Sequence, residues 1–159
     1  MASDNAARPI GVFDSGIGGL SILQALREQM PREDFVYIAD SCHAPYGERN
    51  ATHIEARARA IAAYLRTQHH IKALVVACNT ATAAAIDRLR VEHPGLPIVG
   101  VEPALKPAAA SSRTQRIGVM ATRGTLASTR FASLLASVQG DAAFICQPCD
   151  GLAEAIEHA

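Results

Sequence analysis

The sequence contains no tryptophan, and only 4% of its residues are aromatic. This scarcity argues against a binding surface built from aromatic side chains, and the many alanines favour helices packed closely on a sheet. The sequence also lacks an excess of either charge, because 15 basic and 15 acidic residues are spread along it and give a formal net charge of +0. We therefore expect neither nucleic acid nor an anionic membrane as a partner.

Long apolar runs are missing as well. No stretch approaches the roughly 18 consecutive apolar residues that a membrane-spanning helix requires, and the polar segment Met1–Arg8 lacks the apolar core of a secretory signal. We therefore expect a cytoplasmic protein that crosses no membrane. At 159 residues, the chain is long enough for one ordinary domain or for one and a half small ones.

Cysteine is limited to Cys42, Cys78, Cys146 and Cys149. These residues could pair in two disulfides, but free thiols are the better expectation in a reducing cytosol. Cys146 and Cys149 have the spacing of a zinc-ligand pair, yet no second Cys or His pair stands at the usual distance. We therefore predict no metal site.

Short apolar runs rich in valine and isoleucine alternate with stretches of helical periodicity, which predicts an α/β fold with a parallel sheet and helices on both faces. The predicted strands, all expected to be buried, are Pro9–Phe13, Phe35–Ala39, Ala73–Ala77, Ile98–Val101 and Ile117–Ala121. The predicted helices are Gly19–Met30, one opened by the capping box Thr52-His53-Ile54-Glu55, Thr80–Glu92, Pro103–Ala110, Thr125–Ser137 and Leu152–His158.

The segment Glu102–Gln115 contains two prolines and two serines and is the best candidate for a crossing between domains. We expect residues 1–101 to form a first α/β domain and residues 102–159 to begin a second, similar one.

Functional groups in open α/β sheets gather at the carboxyl ends of the strands. After the first strand comes Asp14-Ser15-Gly16-Ile17-Gly18-Gly19, whose N–H groups could hold an anion, although an ordinary strand-to-helix turn is equally consistent. As a dinucleotide-binding fingerprint the loop fails, because Ser21 occupies the third glycine position and Asp14 would repel a pyrophosphate.

Cys78 follows the third strand in Ala77-Cys78-Asn79-Thr80. A thiol at the start of a helix lies in a positive field, which should lower its pKa and supply a base at neutral pH. The alternative is a small buried hydrophobe, but Asn79 and Thr80 surround the thiol with polar groups that an apolar core would not favour.

Polar residues follow the other strands too. Asp40 and Pro45-Tyr46-Gly47 come after the second strand, where a turn is the simplest interpretation and Tyr46 could still offer its hydroxyl to a substrate. Thr122 and Thr125 could cap the helix after the fifth strand, and Thr122 and Glu102 could contact a ligand. Neither lysine stands at the carboxyl end of a strand, so a pyridoxal phosphate Schiff base is not expected.

Taken together, these segments resemble the motif series of bacterial glutamate racemases, in family order and at family-like spacing. The matching segments are Gly11 to Leu20, Asp40, Pro45-Tyr46-Gly47, Ala77-Cys78-Asn79-Thr80-Ala81, Val101-Glu102-Pro103 and Ala121-Thr122-Arg123-Gly124-Thr125.

The resemblance implies interconversion of L- and D-glutamate for peptidoglycan synthesis, with no cofactor. By the same resemblance, Cys78 is one of two acid/base thiols and Asp14 assists it. The resemblance also implies a set of substrate-binding residues: Asp14, Ser15, Tyr46, Gly47, Asn79, Thr80 and Thr122. Glutamate is the expected small-molecule partner, and a homodimer is left open.

The second thiol of the family belongs to a Gly-Cys-Thr-His segment that this sequence does not contain. We therefore expect the chain to correspond to the amino-terminal portion of a longer enzyme and to be inactive alone. Two other functions stay open, namely a sibling aspartate racemase and a non-catalytic module that binds glutamate or regulates a partner. A nucleotide-binding domain is disfavoured by Ser21 and Asp14.

Overall fold

The computed structural model describes residues 6–138, 140 and 142–159, so the first five residues of the polar start lie outside the described part. The strands are β1 (Ile10–Asp14), β2 (Phe35–Ala39), β3 (Ala73–Val76), β4 (Ile98–Gly100), β5 (Arg116–Ala121) and β6 (Ala143–Pro148). The α-helices are α1 (Leu20–Gln29), α2 (Ala51–Gln68), α3 (Asn79–Glu92), α4 (Leu105–Ser111), α5 (Arg123–Leu126), α6 (Thr129–Val138) and α7 (Leu152–Glu157). Two 3-10 turns, Ser41–His43 and Tyr46–Glu48, connect β2 to α2.

The strands form two parallel sheets. The first has the order β2-β1-β3-β4, and its register sets Phe13 of β1 beside both Ile38 of β2 and Val76 of β3. The second pairs β5 with β6, with Val119 opposite Cys146. Because all strands within a sheet point the same way, Asp14 and Cys78 emerge from neighbouring strands at one edge of the first sheet.

Helices cover both faces of the first sheet. On one face, Phe13, Leu74 and Val76 belong to a core that includes buried residues of α2 and α3. On the other face, Val12 and Val75 pack with Leu23 of α1. This alternation of side chains confirms the predicted α/β class with a parallel sheet between helices.

Burial of β2 was predicted wrongly. Its residues are half-buried and Ala39 is exposed, because β2 is an edge strand with a single neighbour, β1. In β5 the side chains alternate instead: Val119 is buried, whereas Met120 is exposed. Val119 packs with Leu105 and Phe131 in a smaller core of the second sheet.

The predicted capping box and one predicted helix differ from the structure. Helix α2 begins at Ala51, and its cap is Asn50, whose Oδ1 accepts the N–H of His53 at 2.8 Å, so Thr52 does not open a capping box. The single helix predicted for Thr125–Ser137 is divided into α5 and α6. Ser128 lies between them, and its Oγ accepts the N–H of Phe131 at 3.1 Å, which gives α6 a start of its own.

Strand β6 was not among the strands predicted from apolar runs. Four of its six residues are exposed and none is fully buried, which explains why no continuous apolar run marks it. Over the described residues, no helix combines the length and apolar character needed to cross a bilayer.

Candidate active site

A cleft of about 690 Å³ lies where the carboxyl ends of β1, β3 and β5 approach one another. Both sheets contribute to its walls. The polar residues that line it are Asp14, Ser15, Ser21, Asn79, Thr80, Glu102, Thr122, Thr125 and Glu157, together with the thiol of Cys78. Predicted residues from four separate motifs are thus brought together around one cleft.

Cys78 caps helix α3. Its Sγ accepts the N–H of Ala81 at 3.4 Å, and the Ser15 hydroxyl lies 3.5 Å from the same sulfur. Although it borders the cleft, the residue is only 7% exposed. The thiol is therefore held between β1 and β3 by polar contacts on two sides.

The pKa of Cys78 is raised, not lowered as the sequence predicted. Burial is the largest cause, and the negative charge of Asp14 adds to it, whereas the hydrogen bonds from Ser15 and Ala81 act in the opposite direction. The expectation from the helix N-terminus alone was wrong because burial and the charge of Asp14 outweigh the hydrogen bonds that stabilise the thiolate. At neutral pH the group is a protonated thiol, ready to donate.

Asp14 organises the glycine-rich loop. Its Oδ2 accepts the N–H groups of Gly16 at 3.0 Å and of Gly19 at 3.1 Å, and the carboxyl group is buried. Tyr37, which the sequence did not single out, donates its hydroxyl to the carbonyl of Gly16 at 2.8 Å. Burial, together with the nearby negative charges of Asp14 and Glu157, raises the pKa of Tyr37 to about 12, so the hydroxyl keeps its proton.

Another carboxylate holds the tip of the loop. Glu157 of α7 accepts the N–H of Ile17 at 2.9 Å through Oε1 and at 3.3 Å through Oε2. The N–H groups of the loop therefore bind two carboxyl groups of the chain itself, those of Asp14 and Glu157. Sequence reasoning missed Glu157 because 140 positions separate the two residues and no local pattern links them.

Three threonine hydroxyls form a triangle that joins the two sheets. Thr80 Oγ1 lies 3.1 Å from Thr122 Oγ1 and 3.2 Å from Thr125 Oγ1, and Thr122 donates to Thr125 at 3.0 Å. Thr122 also caps α5 by accepting the N–H of Thr125 at 3.3 Å. Thr122 thus has the predicted capping role and also borders the cleft, while the buried Thr125 links Thr80 to Thr122.

The other predicted residues occupy different positions. Asn79 is exposed and borders the cleft, as does Glu102, whose Oε1 lies 3.8 Å from Nη1 of Arg130. Tyr46 and Gly47 are not among the lining residues. Tyr46 is only 1% exposed and donates its hydroxyl to Asp40 at 2.6 Å.

The sequence model of the Asp/Glu/Hydantoin racemase family matches residues 10–159. The chain belongs to this family. Its matched part contains both strand ends that carry Asp14 and Cys78, and it includes the threonine triangle.

Curated relatives within the family are glutamate racemases. The protein of Stutzerimonas stutzeri is 52% identical over 153 residues, which cover 96% of this chain and 58% of that relative. The protein of Ectopseudomonas mendocina is 55% identical over 149 residues, which cover 94% of this chain and 56% of that relative. The chain therefore spans a little more than half the length of these two racemases.

Solved structures of glutamate racemases share the fold. The Escherichia coli enzyme, in complex with L-glutamate and the activator UDP-MurNAc-Ala, has a TM-score of 0.84 and 34% identity over 92% of this chain and 55% of its own. The Francisella tularensis enzyme, in complex with D-glutamate, has a TM-score of 0.79 and 31% identity over 97% of this chain and 57% of its own.

The remaining thiols lie outside the cleft lining. Cys42, Cys146 and Cys149 are free, as is Cys78, and none of the three borders the cleft. Among the described residues, no group of three or more His, Cys, Asp or Glu side chains is arranged to hold a metal ion.

Proposed function

We propose that this chain supplies one half of the active site of a glutamate racemase, with Cys78 as the acid/base on one face of the substrate. The observation that carries the proposal is the position of the Cys78 thiol, which opens on the cleft at the N-terminus of α3 beside Ser15. The 52% identity to a glutamate racemase over 96% of the chain supports glutamate as the substrate.

Racemisation requires a proton to leave one face of the α-carbon and another to arrive on the opposite face. In our proposal, the opposite base breaks the α C–H bond, and its electron pair moves into the adjacent carboxylate group. Cys78 then donates its thiol proton, the pair returns to carbon, and a C–H bond forms on the Cys78 face. In the reverse direction Cys78, as a thiolate, removes the proton, so the two bases exchange protonation states.

The raised pKa of Cys78 suits the step in which Cys78 donates a proton to the α-carbon, because the thiol is protonated before the reaction. For the reverse half, the bound substrate must favour the thiolate. The ammonium group of glutamate next to the sulfur would do so, since a nearby positive charge stabilises an anion. We propose that Asp14 assists by orienting Ser15 and the loop, and by attracting this ammonium group.

Substrate binding is proposed for Asp14, Ser15, Asn79, Thr80 and Thr122. The first N–H groups of a helix have no partner within it, so those of Asn79 and Thr80 are suited to a carboxylate and to the charge that develops on it. Tyr46 and Gly47 belong to the same proposal, but the Tyr46 hydroxyl is engaged by Asp40. Their contribution would come from the backbone of the 3-10 turn.

The opposite thiol is proposed to stand outside these 159 residues, since none of the other three cysteines lines the cleft. We further propose that residues 1–101 form one domain and residues 102–159 part of a second. The change of sheet between β4 and β5 supports this division.

The test uses the whole protein that carries this chain, with optical detection of the opposite enantiomer from L-glutamate, D-glutamate and L-aspartate. We expect conversion of both glutamates, loss of activity in Cys78→Ala, and no change in Cys146→Ala, which removes an exposed thiol. Faster turnover of aspartate would favour the sibling racemase. Calorimetric binding of glutamate without conversion would favour the non-catalytic module.

A further inference from the structure

An ionic cluster lies next to the Pro45–Gly47 segment. It consists of the buried residues Asp40 and Tyr46 and the half-buried residues Arg57 and His43. Arg57 binds the Asp40 carboxylate with two donors, Nε to Oδ2 at 2.9 Å and Nη2 to Oδ1 at 2.8 Å. Tyr46 donates to Oδ2 at 2.6 Å, and His43 Nδ1 lies 3.0 Å from Oδ1. Asp40 is 7% exposed, so nearly all of its partners are protein groups.

The protonation states of Asp40 and Tyr46 in this cluster are fixed. Burial alone would raise the pKa of Asp40, but the hydrogen bonds from Arg57, Tyr46 and His43 outweigh it and leave the pKa below its usual value. Burial and the Asp40 carboxylate both raise the pKa of Tyr46. Asp40 therefore stays an acceptor and Tyr46 a donor across the physiological pH range.

Gly47 connects the cluster to the cleft. Gly47 follows Tyr46, and a Cβ added to Gly47 would overlap the side chain of Thr122. Thr122 in turn contacts Thr80 in the first turn of α3, two positions after Cys78. The anchor on Tyr46 thus fixes how closely the 3-10 turn approaches the threonine triangle.

We propose that Asp40 and Arg57 are positioning residues that hold Tyr46, and through it Gly47 and Thr122, in the geometry that binds the substrate. Tyr46 is then an anchor whose side chain touches no substrate. This inference rests on the proposed racemase function. Arg57 suits the task because its planar guanidinium group donates from two nitrogens, one to each carboxylate oxygen, a paired geometry that the single nitrogen of a lysine lacks.

Tyr46→Phe in the whole protein is the sharpest test, because it removes only the buried hydroxyl. We expect KM for glutamate to rise about tenfold while kcat changes by less than about twofold, since ground-state binding is lost and the thiol is untouched. Tyr64→Phe removes the same hydroxyl from an exposed tyrosine and should leave both constants unchanged.

Arg57→Met and Arg57→Lys provide the rescue experiment. We expect Arg57→Lys to recover part of the KM that Arg57→Met loses, because the lysine retains the charge but not the paired hydrogen bonds. If Arg57→Met does not fold, the kinetic constants of Tyr46→Phe alone test the positioning role. A folded Tyr46→Phe protein with a lower melting temperature but the wild-type KM would overturn the inference, because the cluster would then serve stability only.

A second readout separates this inference from the proposed function. Amide hydrogen exchange at Gly47 and Thr122 is measured without substrate, and we expect it to be faster in Tyr46→Phe than in Tyr64→Phe. Wild-type protein that does not convert glutamate would contradict the proposed function. Unchanged exchange in Tyr46→Phe would contradict the positioning role whether or not glutamate is the substrate.

Discussion

The hydroxyl of Ser15 lies 3.5 Å from the sulfur of Cys78, although 63 positions separate the two residues in the sequence. The contact joins the ends of β1 and β3, and it is one of the few interactions that stabilise a Cys78 thiolate. Burial and the charge of Asp14 act against the thiolate and prevail. The acidity of the thiol is thus a balance among residues of two neighbouring strands.

This balance predicts the pH at which Cys78 reacts. Only the thiolate is alkylated, so the rate for Cys78 should rise at a pH above that of an ordinary cysteine. Ser15→Ala should shift the pH dependence of the Cys78 alkylation rate to higher pH, because it removes a hydrogen bond to the thiolate. Asp14→Asn should move it to lower pH, because it removes a negative charge. Peptide mass spectrometry after brief alkylation measures each profile, and opposite shifts would contradict the account.

The close contact between Gly47 and Thr122 predicts that Gly47→Ala is harmful. Its new methyl group would overlap the Thr122 side chain, so Thr122 must leave its place in the triangle. We expect a loss of ~1–3 kcal/mol in the free energy of unfolding, as for other overpacked sites, and weaker glutamate binding. Chemical denaturation and calorimetry measure the two effects.

Gly124→Ala is the matched control in the same region. The atoms nearest to its added Cβ are the carbonyl oxygen of Gly47 at 3.8 Å and a methyl group of Thr80 at 3.9 Å, which are ordinary contacts. Its stability should change little. Equal effects of the two substitutions would show that the approach of Gly47 to Thr122 is not the cause.

The carboxylate of Glu157 predicts a local effect at the glycine-rich loop. Glu157→Ala removes the acceptor of the Ile17 N–H group, so the exchange of this amide with solvent should become a few-fold faster. Glu154→Ala, in the same short helix, removes an exposed carboxylate and should leave the Ile17 amide unchanged. Amide exchange followed by NMR distinguishes the two. An Ile17 amide that is insensitive to Glu157→Ala would contradict the observed hydrogen bond.

Local patterns in the sequence were sufficient to predict the strands of the first sheet. Runs such as Phe35–Ala39 are short, apolar and β-branched, and Cys78 stands where one such run meets a helical pattern. Strand β6 was not predicted because four of its six residues are exposed, so it lacks a continuous apolar run. The capping box at Thr52 was misleading because the helix begins one residue earlier, at Ala51, and Asn50 caps it by accepting the N–H group of His53.

Contacts between distant residues account for what the sequence could not predict. The pKa of Cys78 depends on how deeply the thiol is buried, which no local pattern reveals. The pairing of Arg57 with Asp40 arises because α2 passes the end of β2, and the contact of Glu157 with Ile17 depends on the placement of α7. The position of the site could therefore be predicted from the sequence. Its electrostatics could not, because they depend on contacts that form only in the assembled fold.

The most direct test of the account follows the proton at the α-carbon. The whole protein that carries this chain is incubated in D₂O with each glutamate enantiomer in turn, and the product of the first turnovers is analysed by mass spectrometry and chiral chromatography. We predict that the opposite enantiomer forms with one deuterium at Cα, and that Cys78→Ala forms none while Cys146→Ala matches the wild type. Formation of the opposite enantiomer by Cys78→Ala at the wild-type rate would contradict the central claim that Cys78 transfers the proton.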